Sequence, residues 1–235
     1  MIIMDTPKLY MIPGAGTDWR MYTPQLQAFP DMVIPPWLPP LNLYEPLASY
    51  ARRLALRMDV SQPFFLGGVS LGGMLAQEMA NQVKPLGLIL ISTCQSSAFL
   101  PMYWRLLGRL NRRLPDGMMR VQKHMLAMVA KRLPIADAAE RDIYAQMILD
   151  MPPHLVRWQV GAATQWKPDQ KPAMPVFQLH GGKDRMMPAA RVHAQQWLPD
   201  AGHFMNVTHA GQVNAFIRDC LQGYSVHGSP YYSDA

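Results

Sequence analysis

At 235 residues the chain has the length of one α/β domain carrying an insertion, and its 49% apolar and 16% charged residues exclude a disordered protein. The formal net charge of +6 comes from basic residues spread along the chain, with a denser set from Arg105 to Arg132. That spread reads as a solvated helical face rather than a nucleic-acid patch, with attraction of an anionic substrate, such as a phosphate-bearing acyl thioester, as the alternative.

Apolar runs ending at turn residues alternate with helical periodicity, the pattern of a mostly parallel sheet. Lys8 to Ile12 is predicted as the first strand, running into Pro13-Gly14-Ala15-Gly16. Asp18 then caps a helix over Trp19 to Ala28. Met32 to Ile34 is predicted as a short second strand, followed by a turn rich in proline (Pro35, Pro36, Pro39, Pro40). Leu47, Tyr50, Ala51, Leu54 and Met58 share one helical face. Phe64 to Val69 is the third strand, turning sharply at Ser70 into a helix from Leu71 to Asn81. Leu86 to Ser92 is the fourth, apolar enough to be buried on both faces.

From Gln95 to Lys171 no strand-like run occurs, and apolar residues recur at helical spacing between breaks. This segment, 95–171, is expected to be an inserted helical lid with helices over Pro101–Arg113, Pro115–Arg132, Ala136–Met151 and Pro152–Thr164. The core, 1–94 and 172–222, resumes with strands over Val176–Leu179 and Val192–Leu198, making about six in all. A helix from His209 to Leu221, with Thr208 as N-cap, closes it, and 223–235 reads as a loose tail.

The chemistry gathers at Gly68-Val69-Ser70-Leu71-Gly72, a G-x-S-x-G motif lying between a predicted strand and a predicted helix. A serine projecting from a strained turn can meet a carbonyl, and larger side chains two residues either side would crowd that turn. Composition alone would place the bare pattern in roughly one such chain in ten; its setting between strand and helix is what distinguishes it from a structural glycine turn.

Ser70 needs a base within reach, because its hydroxyl stays protonated at neutral pH. Among the seven histidines, His203 is the choice, in a loop after the last predicted strand, where ligands of α/β sheets bind. The rivals are His180, at a strand end before Gly181-Gly182, and His209, at a helix start. The histidine needs an anion to hold its tautomer, and Asp184 follows the next-to-last predicted strand on a separate loop. Its alternative roles are pairing with Lys183 or Arg185, and Asp200 is the competing acid. Backbone donors for a tetrahedral oxyanion are available at Leu71 and in the first glycine loop, at Ala15.

With these residues in place, the chain resembles the α/β-hydrolase superfamily, among its smaller esterase-like members with a helical lid. Besides Gly68 to Gly72, the stretches His180-Gly181-Gly182-Lys183-Asp184 with Pro188 and Ala201-Gly202-His203-Phe204 are similar to the family's acid and histidine loops. The resemblance spans nearly everything except the tail. The chain departs from it in reading Pro13-Gly14 where many relatives have His-Gly, and in lacking two leading strands. It also leaves little room for a helix between Asp184 and His203.

The expected activity is hydrolysis of a carboxylic ester or thioester of a small to medium apolar acyl group. Trp104, Trp158, Trp166 and the methionines offer apolar surface for it, though methionines at helical spacing more commonly pack. A carbon–carbon hydrolase or lyase with the same triad, and a non-catalytic binding protein, stay open. No cofactor or metal motif is visible, and no membrane span approaches the roughly 20 apolar residues required. Cys94 and Cys220 read as reduced core residues. Met1 to Thr6 lacks a basic start and a long apolar run, so a cytoplasmic location is expected.

Overall fold

The computed structural model describes residues 7–113, 138–168 and 170–227, with Met118, Val121, Lys123, His124, Ala127 and Met128 between the first two stretches. Five parallel strands form one sheet in the order β1-β2-β3-β4-β5: Lys8–Ile12, Phe64–Val69, Leu88–Ile91, Val176–Gly181 and Gln196–Leu198. The register runs Tyr10 to Leu66, Leu66 to Leu88, Leu90 to Gln178 and His180 to Trp197.

Alternation along the strands sorts residues to two cores. Tyr10, Ile12, Leu66, Leu88 and Leu90 join helices α2 (Leu47–Ala55) and α3 (Leu71–Val83) on one face. Leu9, Met11, Phe65, Ile89, Ile91 and Leu179 pack on the other face with the last helix. Both faces being covered explains why β2 and β3 are continuous apolar runs. Cys94 and Cys220 are buried free thiols, and burial pushes each thiol up to about 12.

After β1, Asp18 accepts from the Arg20 amide and caps a 3-10 turn over Trp19–Tyr22, which leads into α1 (Thr23–Ala28). The predicted strand Met32 to Ile34 is reduced to one bridge, Val33 to Tyr10, with bonds from Val33 N to Leu9 O and Met11 N to Val33 O. Pro35 and Pro36 follow at once and have no N–H to continue a ladder.

The other edge is trimmed too. Of the predicted strand Val192–Leu198 only Gln196–Leu198 pairs, because the Gln195 side chain occupies the preceding ladder position. Its Oε1 accepts from Gln178 N at 2.8 Å and its Nε2 donates to Val176 O at 2.8 Å. A 3-10 turn at Ala189–Arg191 stands where a helix between β4 and β5 would otherwise be.

Between β3 and β4 the described residues form helices α4 (Met102–Asn111), α5 (Ala138–Asp150) and α6 (Pro153–Gln165). Most of the predicted helix Pro115–Arg132 lies outside the described residues. Its described part includes Lys123, whose ammonium bonds the Leu149 and Met151 carbonyls at the end of α5, where a cation is favoured. α7 (Met205–Thr208) and α8 (Ala210–His227) finish the fold. Thr208 therefore ends one helix instead of capping the next; its hydroxyl bonds Phe204 O and the His209 ring. α8 continues through Gly223, where the tail is expected to start, to His227.

α6 is anchored to the core by Trp158, which is fully buried, stacks on Tyr50 at 4.1 Å and donates from Nε1 to Glu45 O at 2.9 Å. Trp158→Ala is expected to lower unfolding stability by about 3–5 kcal/mol, from the cavity and the orphaned carbonyl, as read by urea denaturation.

Candidate active site

Because all strands run parallel, the loops after β1, β2, β4 and β5 emerge at the same sheet edge. They carry Ala15, Ser70, Asp184 and His203 respectively.

Ser70 sits between β2 and α3 with φ 56 and ψ −118, a region costly for any residue with a side chain. Three backbone bonds and one from a side chain hold it there. Its amide donates to Ile91 O at 3.0 Å, while its carbonyl accepts from Gly73 N, Met74 N and the Thr93 hydroxyl, the last at 2.7 Å. A Cβ on Gly72 would lie 2.6 Å from Pro13 O, and one on Gly68 2.7 Å from Ile12 O, so these two motif glycines let α3 and β2 close against the end of β1. Tyr22 ties the same strands together, its hydroxyl donating to Ile12 O at 2.8 Å and accepting from Val69 N at 3.1 Å.

Asp184 and His203 are both buried and joined, His203 Nδ1 to Asp184 Oδ2, at 2.7 Å. Asp184 Oδ1 accepts from the amides of Met186 at 2.8 Å and Met187 at 2.9 Å. Burial acts to raise the Asp184 pKa, but electrostatic attraction to His203, its hydrogen bond, the Met187 amide and His180 together outweigh it, so the carboxyl lies below the usual range. No hydrogen bond joins the His203 ring to the Ser70 hydroxyl among the described residues. Such contacts are commonly loose without substrate.

The other candidates have partners of their own. His180 is fully buried, donates from Nε2 to Met187 O at 2.9 Å and lies 3.6 Å from Asp184 Oδ2, with no partner for Nδ1 among the described residues. Burial lowers its pKa and keeps it neutral, so it braces the aspartate loop. His209 bonds Thr208, and Asp200 is exposed and paired with Lys183 at 2.6 Å.

The loop after β1 approaches Ser70 closely: a Cβ on Gly14 would lie 3.6 Å from Ser70 Cβ. Among the described residues neither the Ala15 nor the Leu71 amide has an acceptor. A cavity of about 440 Å³ reaches this loop at Pro13, and its walls include Trp19, Trp37, Met151 and Leu155; Ser70 is not in its wall. Trp158 and Trp166 pack instead of lining it, Trp166 donating to Glu78 Oε1 at 2.6 Å. Nothing in the sequence marks Thr17, Tyr22, Thr93 and Gln159, which bond the site's backbone, since each acts on residues it meets only through the fold.

The sequence profile described as the alpha/beta hydrolase family matches residues 9–216. The chain belongs to the alpha/beta hydrolase family. No curated protein has a matching sequence. Among solved structures, this hydrolase-family chain resembles MenH from S. aureus at 16% identity over 95% of this chain and 96% of that one, with a TM-score of 0.73. A thermophilic esterase from Thermogutta terrifontis aligns at 19% identity over 92% of this chain and 90% of that one, with a TM-score of 0.61. A type II thioesterase, BorB, from the borrelidin biosynthetic cluster aligns at 20% identity over 92% and 93%, with a TM-score of 0.63. These likenesses are of fold. Among the described residues no helix is long and apolar enough to cross a membrane, and no group of three or more His, Cys, Asp or Glu could hold a metal.

Proposed function

We propose that the protein is a serine hydrolase of carboxylic esters or thioesters with a small to medium apolar acyl group, working through Ser70, His203 and Asp184. The observation that carries this reading is the buried 2.7 Å His203–Asp184 pair on the same sheet edge as a serine held at positive φ. Family membership supports a hydrolase.

In this scheme His203 Nε2 takes the Ser70 proton as Oγ attacks the acyl carbon, and returns it to the departing alkoxide or thiolate. The carbonyl oxygen, now negative, accepts from the Leu71 and Ala15 amides. Water then attacks the acyl-enzyme with His203 again as base, releasing the acid and restoring Ser70. The segment 95–171 acts as the lid, and the apolar cavity beside Pro13 takes the acyl group.

Labelling with a fluorophosphonate probe tests the reading. An adduct located on Ser70 by peptide mass, and absent from Ser70→Ala, is expected. Folded parent protein that stays unlabelled would turn the reading towards a ligand-binding member of the fold.

A further inference from the structure

An oxyanion donor must be aimed before substrate arrives, and a glycine-rich loop has little stiffness of its own. Two peptide planes flank Ala15. The first holds the Gly14 carbonyl and the Ala15 N–H, which point in opposite directions. Thr17 clamps that carbonyl from within the loop, through its hydroxyl at 2.8 Å and its amide at 3.3 Å. The second plane holds the Ala15 carbonyl and the Gly16 N–H, at the point where Gly16 turns the chain with φ 72. Among the described residues no local backbone bond holds it. The Gly16 N–H donates instead to Gln159 Oε1, at 2.9 Å, across 143 residues of sequence.

We propose that Gln159, supplied by α6, is a positioning residue that clamps the oxyanion loop, so that the helical segment and the donor at Ala15 are set together. The inference rests on the hydrolase reading above. Two features favour a role beyond packing. Gln159 is fully buried, yet its Nε2 has no partner among the described residues, so half of its amide is desolvated without return. An apolar side chain of similar shape would avoid that cost and lose only the bond to Gly16. Its neighbour Trp158 independently fixes α6 on Tyr50, so α6 does not need Gln159 for anchorage.

The test compares the parent with Gln159→Met, which keeps the length and removes the acceptor, and Gln159→Glu, which keeps an acceptor oxygen in either protonation state. With p-nitrophenyl butyrate, Gln159→Met is expected to lower kcat between about tenfold and hundredfold, part of what deleting a whole donor costs, while KM stays within about threefold. Thermal unfolding should stay near the parent's, and amide hydrogen exchange in the peptide spanning Pro13 to Thr17 should quicken. Gln159→Glu should recover most of the kcat.

Should Gln159→Met not fold, Gln159→Ala is read in the same way. A folded acceptor-less variant with kcat within about threefold of the parent would overturn the clamp, because a misaimed donor cannot be that cheap. A folded Gln159→Glu as slow as Gln159→Met would overturn it too. A parent with no Ser70-dependent turnover would instead overturn the hydrolase reading, a result visible before any Gln159 variant is compared.

Discussion

Ser70→Ala is expected to reduce kcat by about 10⁴ to 10⁶, with the residual rate coming from oxyanion donors and binding alone. The magnitude follows from the division of labour. Removing Oγ leaves His203 with no proton to accept and abolishes the acyl-enzyme, so turnover requires direct attack by water. Stability should move in the opposite sense or hardly at all. Ser70 has φ 56 whichever small side chain it bears, and the bonds holding it are made by its own backbone. A variant that is folded by circular dichroism and inactive towards p-nitrophenyl esters is the expected pair of measurements. Turnover within tenfold of the parent would remove Ser70 from the chemistry.

The second large effect belongs to the acid. Asp184→Asn should lower kcat by about 10³ to 10⁴, with little change in volume. Two amides, from Met186 and Met187, already donate to Oδ1, so an asparagine would keep its oxygen there and turn its NH₂ towards His203 Nδ1. His203 would then have to accept at Nδ1 and carry its proton on Nε2, where the base must be bare. The pH dependence has a definite sign. The folded-state pKa of Asp184 is depressed below 3.8, so the unfolded chain binds more protons at low pH. The stability that the carboxylate contributes is present in full above pH 3.8 and is lost as pH falls through the lower, folded value. Asp184 therefore stays ionised through an assay range of about pH 5 to 9, and an acid limb of activity in that range cannot be assigned to it. Acid unfolding followed by fluorescence should show the parent losing stability below pH 3.8 more steeply than Asp184→Asn, which keeps only the share of the other depressed carboxylates.

Much of this site could be read locally. Gly68, Ser70 and Gly72 sit where a strand must hand over to a helix, and their roles depend on neighbours within a few residues. Asp184 and His203 follow strands that share a direction, so parallel topology brings them to one edge whatever the intervening lengths. Loop position distinguishes His203 from His180 in the sequence; in the structure His180 is fully buried and donates to Met187 O.

Where the sequence reading missed, a side chain or a proline had replaced a backbone bond. Val33 makes one bridge because Pro35 and Pro36 cannot donate, and strand β5 begins late because the Gln195 amide occupies a ladder position. Apolar periodicity reports which face of an element is covered, not whether each N–H finds a carbonyl.

By itself the sequence determined the parallel α/β order and the strained serine turn, because these follow from short-range sterics and from strand direction. Only the tertiary structure decided which backbone planes are held still. Gln159 reaches Gly16 from 143 residues away, and Thr93 reaches the Ser70 carbonyl from the neighbouring strand end. Such bonds join groups with no shared periodicity, and they form only after burial has excluded water as the competing partner.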